Sequence, residues 1–210
     1  MAYGFVIDLE KCVGCHGCSV ACKGANGTPP TVTRSRVDRG TEGSYPNAVR
    51  TIRPMLCMMC ENPPCVAVCP QGATTIRDED GIVVIDADRC IGCKYCIAAC
   101  PYGARSADEG SSYAVEMQAA DQVTAPEYGV DHGARGKYRG TYGTVRKCTF
   151  CAHRIAEGEA PACCETCIGD ARYFGDLNDP SSKVAQLAAS PRAFRLREEL
   201  GTNPSVYYLK

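Results

Sequence analysis

The stretch Cys90–Pro101 reads C-I-G-C-K-Y-C-I-A-A-C-P, four cysteines at the spacing C-x2-C-x2-C-x3-C with a proline directly behind them. The same spacing stands at Cys12, Cys15, Cys18 and Cys22. Val6–Cys18 (V-I-D-L-E-K-C-V-G-C-H-G-C) aligns without gaps on Val84–Cys96 (V-I-D-A-D-R-C-I-G-C-K-Y-C) at an offset of 78. Val, Ile, Asp, three cysteines and Gly14/Gly92 all recur, which marks an internal repeat. Two looser runs alternate with the strict ones. Cys57, Cys60, Cys65 and Cys69 follow C-x2-C-x4-C-x3-C-P, and Cys148, Cys151, Cys163 and Cys167 follow C-x2-C-x11-C-x3-C. A-C-C-E-T-C-I-G-D-A at Ala162–Ala171 mirrors P-C-V-A-V-C-P-Q-G-A at Pro64–Ala73 at an offset of 98. The chain therefore reads as two halves, 12–69 and 90–167, each with two cysteine runs.

Composition narrows the chemistry. Hydrophobic residues make up 45% of the 210, but seventeen of these are cysteines, Trp is absent and Phe occurs four times. Such a chain needs cross-links beyond apolar burial. An odd cysteine count and no secretory signal, Met1–Gly4 leading straight into the first motif, disfavour disulfides. A net charge of −1 leaves no electrostatic footprint for nucleic acid. No run approaches the roughly 18 apolar residues of a membrane span, so direct membrane insertion is not expected. No nucleophile–base pair, P-loop or G-x-G-x-x-G appears, so no catalytic residue is assigned.

Local patterns place the runs. Tyr3–Asp8 reads as a strand, Lys23–Asn47 as loop with an edge strand, and Ala48–Pro54 as a strand. Gly72–Val84 reads as a hairpin turning at Asp80-Gly81. Tyr102–Lys147 is rich in Gly, Ser and Tyr and reads as irregular. Its end, Gly133–Lys147, interleaves Arg135, Lys137, Arg139, Arg146 and Lys147 with Tyr138 and Tyr142, and reads as a solvated loop or docking surface. In the tail, a helix starts near Asp179-Pro180-Ser181 with Val184, Leu187 and Ala188 on one face. A second starts at Ser190-Pro191 and stops at Gly201. Ser205–Leu209 is β-prone.

Bacterial ferredoxins use the C-x2-C-x2-C-x3-C-P run to hold [4Fe–4S] clusters, and in two-cluster ferredoxins the fourth cysteine serves the other cluster. Sixteen cysteines in four runs suffice for four such clusters. Zinc sites use two C-x2–4-C pairs, and four runs, two in strict ferredoxin spacing, argue against zinc. Cys164 is left over, and we read it as a small buried hydrophobe rather than a ligand. Gly14, Gly17 and Gly92 are placed to let backbone amides approach sulfur, and His16 and His153 stand close to cluster loops.

With runs alternating strict and loose, and with C-E-N-P-P-C at Cys60–Cys65, A-C-P-Y-G-A-R at Ala99–Arg105, K-C-T-F-C at Lys147–Cys151 and A-R-Y-F-G-D at Ala171–Asp176, the chain resembles a known family. It is similar to the iron–sulfur electron-transfer subunits of molybdopterin oxidoreductases of the dimethyl-sulfoxide-reductase type. The resemblance implies an α+β fold of two pseudo-symmetric bacterial-ferredoxin-like modules within residues 1–177. Runs 12–22 and 148–167 would form one module and runs 57–69 and 90–100 the other, with an insertion at 102–147 and a helical tail over 178–210. It implies four [4Fe–4S] clusters with crossed ligation. Cys12, Cys15, Cys18 and Cys167 would hold the first, Cys22, Cys148, Cys151 and Cys163 the second. Cys57, Cys60, Cys65 and Cys100 would hold the third, Cys69, Cys90, Cys93 and Cys96 the fourth. It implies a non-catalytic relay, in that cluster order, from a large Mo or W molybdopterin subunit to an integral-membrane, quinone-linked anchor or a soluble carrier. The compartment would be cytoplasmic, or periplasmic by export with a twin-arginine partner. The competing class is a free polyferredoxin or a cluster subunit of a hydrogenase-type complex. Against the family pattern, Ile168-Gly169 follows Cys167 where a proline is common, and the 102–147 insertion is long.

Overall fold

A computed structural model describes residues 2–29, 32–109 and 143–210. In chain order the elements are β1 (Tyr3–Asp8), α1 (Gly17–Asn26), β2 (Ser35–Glu42), β3 (Val49–Leu56), α2 (Pro64–Ala67), β4 (Thr74–Ile76), β5 (Val83–Ile85), α3 (Tyr95–Ala98) and β6 (Arg105–Ala107). After the undescribed segment come β7 (Val145–Lys147), α4 (Ala152–Ala156), α5 (Ala162–Glu165), β8 (Arg172–Asp176), α6 (Lys183–Ala188), β9 (Ala193–Phe194), a 3-10 turn at Glu198–Leu200 and β10 (Val206–Leu209). The fold is thus mixed α/β. Among the described residues no helix is long and apolar enough to cross a membrane.

One sheet of four strands, ordered β8-β1-β10-β9, organises the chain. β1 pairs antiparallel with β8 and parallel with β10. Phe5, Val6 and Ile7 are all fully buried, because both faces of β1 are covered. Phe5 and Ile7 face the main core, while Val6 packs with Val184 and Leu209 in a smaller cluster under α6. The main core is continuous and threads all four cysteine runs: Cys18, Cys57, Cys96 and Cys148 share it with Leu56, Met58, Val83 and Tyr208.

Three two-stranded ribbons complete the fold. β2 and β3 pair over eight residues each, from Ser35↔Leu56 to Glu42↔Val49. The β4–β5 hairpin turns as expected, with Gly81 at φ 71° and the Asp80 carboxylate accepting from the Ile82 N–H at 3.1 Å. β6 pairs antiparallel with β7, from Arg105↔Lys147 to Ala107↔Val145. The expected roles of Arg135, Lys137, Tyr138, Arg139 and Tyr142 lie outside the described residues. Arg146 and Lys147 correct the sequence reading: neither belongs to a solvated loop, and both are about 2% exposed. Arg146 makes a buried ion pair with Asp108. β7 is buried along its whole length, which the polar composition upstream hides.

The tail departs from expectation. α6 forms with Ser182 as its cap, accepting the Ala185 N–H at 3.0 Å, and turns Val184, Leu187 and Ala188 inward. The second helix does not form. Ala193–Phe194 instead pairs with β10, Phe194 packs on the Tyr208 ring, and only one 3-10 turn follows Arg197, whose φ of 53° breaks helical continuity. Pro191 is compatible with a helix start, but sheet pairing and the burial of Tyr208 win. The tail is therefore no helical appendage: β10 lies inside the sheet beside β1. The Tyr208 hydroxyl donates to the Pro54 carbonyl at 2.8 Å, tying the tail to β3. Tyr208→Phe is expected to lower stability by about 1 kcal/mol, measured as a fall in the denaturant midpoint of the purified protein.

Candidate iron–sulfur sites

Each site begins with a C-x2-C turn, and all four turns share one backbone device. The residue before the second cysteine has positive φ in every run: Gly14 (68°), Met59 (44°), Gly92 (67°) and Phe150 (53°). That conformation swings both thiols to one side of the turn. Glycine adopts it freely, and Gly92 has no alternative, since a Cβ there would sit 2.0 Å from the Gly143 carbonyl oxygen. Met59 and Phe150 adopt it at a cost of about 1–2 kcal/mol each, held by near-complete burial in the main core. Sequence reasoning found the glycines and missed these two. The repeat extends one step further: His16 and Lys94, 78 residues apart, both take φ near 62° and each precedes a helix. His16 lines the hollow of the first run.

The thiols gather across runs. Cys12, Cys15 and Cys18 surround one hollow together with Cys167, and Cys22, Cys148, Cys151 and Cys163 surround a second. Cys69, Cys90, Cys93 and Cys96 surround a third. The remaining set meets around Cys60, whose pKa burial lifts to about 12, with the nearby thiols of Cys57, Cys65 and Cys100 adding to the lift. The three hollows enclose about 330, 340 and 360 Å³, open mouths included. All seventeen cysteines are free of disulfides. Among the described residues no three Cys, His, Asp or Glu side chains converge on a point that would hold a single ion. Zinc would require four sulfurs at about 2.3 Å from one centre. Soft thiols arrayed around a larger hollow instead fit a polynuclear iron–sulfur group.

Sulfur is met by N–H donors in a recurring way. The last cysteine of three runs accepts from the backbone N–H four residues on: Cys69 from Ala73 at 3.2 Å, Cys100 from Ala104 at 3.5 Å and Cys167 from Ala171 at 3.3 Å. Gly72 and Gly103 make the turn with positive φ, and Asp170 does so in the fourth run. Gly169 there lies where a Cβ would come 2.5 Å from the Lys11 carbonyl oxygen, which accounts for the glycine, while nothing in the structure explains Ile168 in the place of proline. Cys22 lies within a longer helix, and Asn26 takes over, its amide 3.6 Å from the Cys22 sulfur and 4.0 Å from that of Cys151. The Asn26 carbonyl accepts from Arg34 at 3.1 Å. Gly17 N–H donates to Cys15 at 3.4 Å.

Burial dominates the electrostatics. It pushes the Cys22 thiol up to about 12 against the pull of Arg34, and carries Cys148 well above the ordinary thiol range. At Cys69 burial also works upward, but the N–H groups of Thr74, Ala73 and Gln71 outweigh it and bring the thiol down. Cys163 is held down by a hydrogen bond from the Cys164 thiol, which is itself raised. Cys163 lines the second hollow. Four cations, Arg34, Arg105, Lys147 and Arg172, are buried among the thiols. No sequence reading singled them out as such, although the A-R pairs four and five residues after Cys100 and Cys167 carried the signal.

Comparison with known proteins decides what these sites are. Residues 48–124 and 136–177 match the 4Fe-4S dicluster domain family. The chain is 52% identical over 207 residues to a chain of the selenate reductase of Mesobacillus selenatarsenatis, covering 97% of this chain and 70% of that one. It is 42% identical over 212 residues to a chain of the tetrathionate reductase of Salmonella typhimurium (99% and 72%). It is 38% identical over 227 residues to the arsenate respiratory reductase iron–sulfur subunit of Shewanella sp. strain ANA-3 (100% and 97%). The chain belongs to the iron–sulfur subunits of the dimethyl-sulfoxide-reductase family.

As such a subunit it transfers electrons through [4Fe–4S] clusters, four by the count of its thiol sets. When bound, each cluster accepts and releases one electron at a time. The chain supplies the thiols, N–H donors to sulfur and burial that excludes water. Asn26→Leu removes the amide that meets Cys22 and Cys151. The expected result is loss of one cluster's content, about four iron and four sulfide per chain, by metal and acid-labile sulfide analysis.

Proposed function

We propose that this protein relays single electrons between a large molybdopterin subunit holding Mo or W and a membrane anchor or soluble redox partner, and is not itself catalytic. The ligand sets are the four named above, and the order of the relay is first to fourth. The observation that carries this reading is the gathering of each run's last cysteine with thiols of another run: Cys167 with Cys12–Cys18, Cys22 with Cys148–Cys163, Cys69 with Cys90–Cys96 and Cys100 beside Cys60. Cys148 also feels the charge of Cys57, which supports contact between the second and third sets. The two-module reading is supported by the pairing of β1 with β8 and α1 with α5, and of β4 with β5 and α2 with α3.

Apolar side chains stand exposed at both outer sets, Val13 and Ile168 at the first and Ile91 and Tyr95 at the fourth. These suit partner contacts at the ends of a relay. The protein would work on whichever side of the membrane its catalytic partner occupies, exported folded with it when that side is the periplasm. Cys100→Ala tests the crossed ligation. Electron paramagnetic resonance should show loss or conversion of the cluster held by Cys57, Cys60 and Cys65, while the Cys90–Cys96 signal persists. The reverse outcome sinks the pairing. Co-purification of a pterin-containing chain tests the partner.

A further inference from the structure

We infer that Arg172, Lys147 and Arg105 are junction cations: each lies buried between two successive thiol sets and raises the reduction potentials of the clusters on both sides together. The inference rests on the ligand sets proposed above.

The placement is regular. Arg172 lines the hollow of Cys12, Cys15, Cys18 and Cys167, and its charge also acts on Cys163 of the second set. Lys147 stands one residue before Cys148, its Nζ 2.8 Å from that residue's carbonyl oxygen and 3.6 Å from the Met59 sulfur. It thus bridges the fourth run and the second, and its charge acts on Cys148 of the second set and on Cys57 and Cys65 of the third. Arg105 Nη1 donates to Thr74 Oγ1 at 3.3 Å, Thr74 lines the hollow of the fourth set, and the charge of Arg105 acts on Cys96 there and on Cys57 and Cys65 of the third set. Three junctions separate four sets, and each holds one of these cations. Arg105 and Arg172 occupy the same place in their runs, five residues after Cys100 and Cys167. Each follows a cysteine of one set and reaches a thiol of the next.

Lys147 Nζ donates to the Val83 and Cys148 carbonyls, but no carboxylate among the described residues balances these charges. Arg172, Lys147 and Arg105 are 6%, 2% and 5% exposed. Among the described residues none has a carboxylate within ion-pair distance, in contrast to Arg146 with Asp108. Nη1 of Arg172 and both Nε and Nη2 of Arg105 are buried with no hydrogen-bond partner. A buried cation without counter-charge is strongly disfavoured, and the groups positioned to supply negative charge are the thiolates and whatever they hold. A cation at a junction favours added negative charge on either side alike. It therefore lifts two neighbours without opening a step between them, which a cation placed at one set alone would do.

The test uses the full chain, purified with its clusters and, where it co-purifies, its partner. Arg105→Gln, Lys147→Gln and Arg172→Gln are compared with Arg105→Lys by potentiometric electron paramagnetic resonance. Each neutral variant should lower the reduced-to-oxidised ratio at fixed potential at least tenfold, a fall of about 59 mV for a one-electron centre. The fall should appear in the two flanking clusters and in neither of the others, and Arg105→Lys should restore most of it. Wild-type iron and sulfide with unmoved potentials overturns the inference, as does an equal fall in Arg105→Lys. If two clusters shift but are the wrong pair, the ligand sets fail instead. Should a neutral variant lose clusters, Ser35→Asp reads the same charge. Ser35 Oγ lies 3.5 Å from Arg172 Nη2, so a carboxylate there neutralises Arg172 in place. It should lower the first and second potentials, and unchanged potentials would refute the inference.

Discussion

Much in this fold answers to one constraint: the thiols of four cysteine runs must be gathered around common hollows by a chain whose helices and strands are mostly short. Helices α2, α3 and α5 are four residues long. Isolated helices shorter than about 12–15 residues are marginal in water, so these turns are held by what they pack against. They pack against one another, against short strands and against a core that thiols help to fill. One core cluster contains thiols from all four runs beside Leu56, Met58 and Phe150. The hydrophobic core and the cofactor scaffold are the same object, which explains how a chain without Trp sustains a folded unit of this size.

That identity also explains the strained turns. A left-handed residue precedes the second cysteine of every run, and two of the four are large. A solvent-exposed turn would select glycine. Met59 and Phe150 stay because their side chains are worth more in the core than the backbone strain costs: burying such a side chain contributes about 1.5–3 kcal/mol against about 1–2 kcal/mol. Phe150 packs on Phe5 and Phe174, tying its turn to β1 and β8.

Much was legible in the sequence because cysteine spacing is a geometric statement. The four runs, the 78-residue repeat and the Asp80-Gly81 hairpin all reappear as structure, and the repeat recurs even in the dihedrals of Gly14/Gly92 and His16/Lys94. What stayed hidden depends on long-range contact. Ser190-Pro191 is a sound local helix start, yet β10 offers pairing to Ala193–Phe194 that no local pattern announces. Arg146 and Lys147 sit at the end of a polar segment, and composition cannot show that β6 pairs with β7 and turns them inward. The buried cations were overlooked for the same reason. Arg and Lys are read as surface residues because burial without a counter-charge is prohibitive, and here the counter-charge belongs to the sites themselves.

Two scales of electrostatic control follow from where donors and cations stand. Backbone N–H groups meet single sulfurs, at Cys69, Cys100 and Cys167, so each acts on one site. Their number is fixed by turn geometry and is nearly the same from run to run. Of the four buried cations Arg34 faces the second set alone, while Arg105, Lys147 and Arg172 lie between sites and act on two. Unit charges 4 Å apart interact by about 4 kcal/mol at an effective dielectric near 20, several times the net value of an ordinary hydrogen bond. Differences between neighbouring sites must then come from donors the runs do not share, such as Asn26, and from exposure: Cys15 and Cys93 lie open, whereas Cys148 and Cys163 are enclosed. Shared cations raise the whole path and local contacts grade it. In a chain built this way a change at a shared cation moves two stations together, whereas a change at a local donor alters the steps on either side of one station.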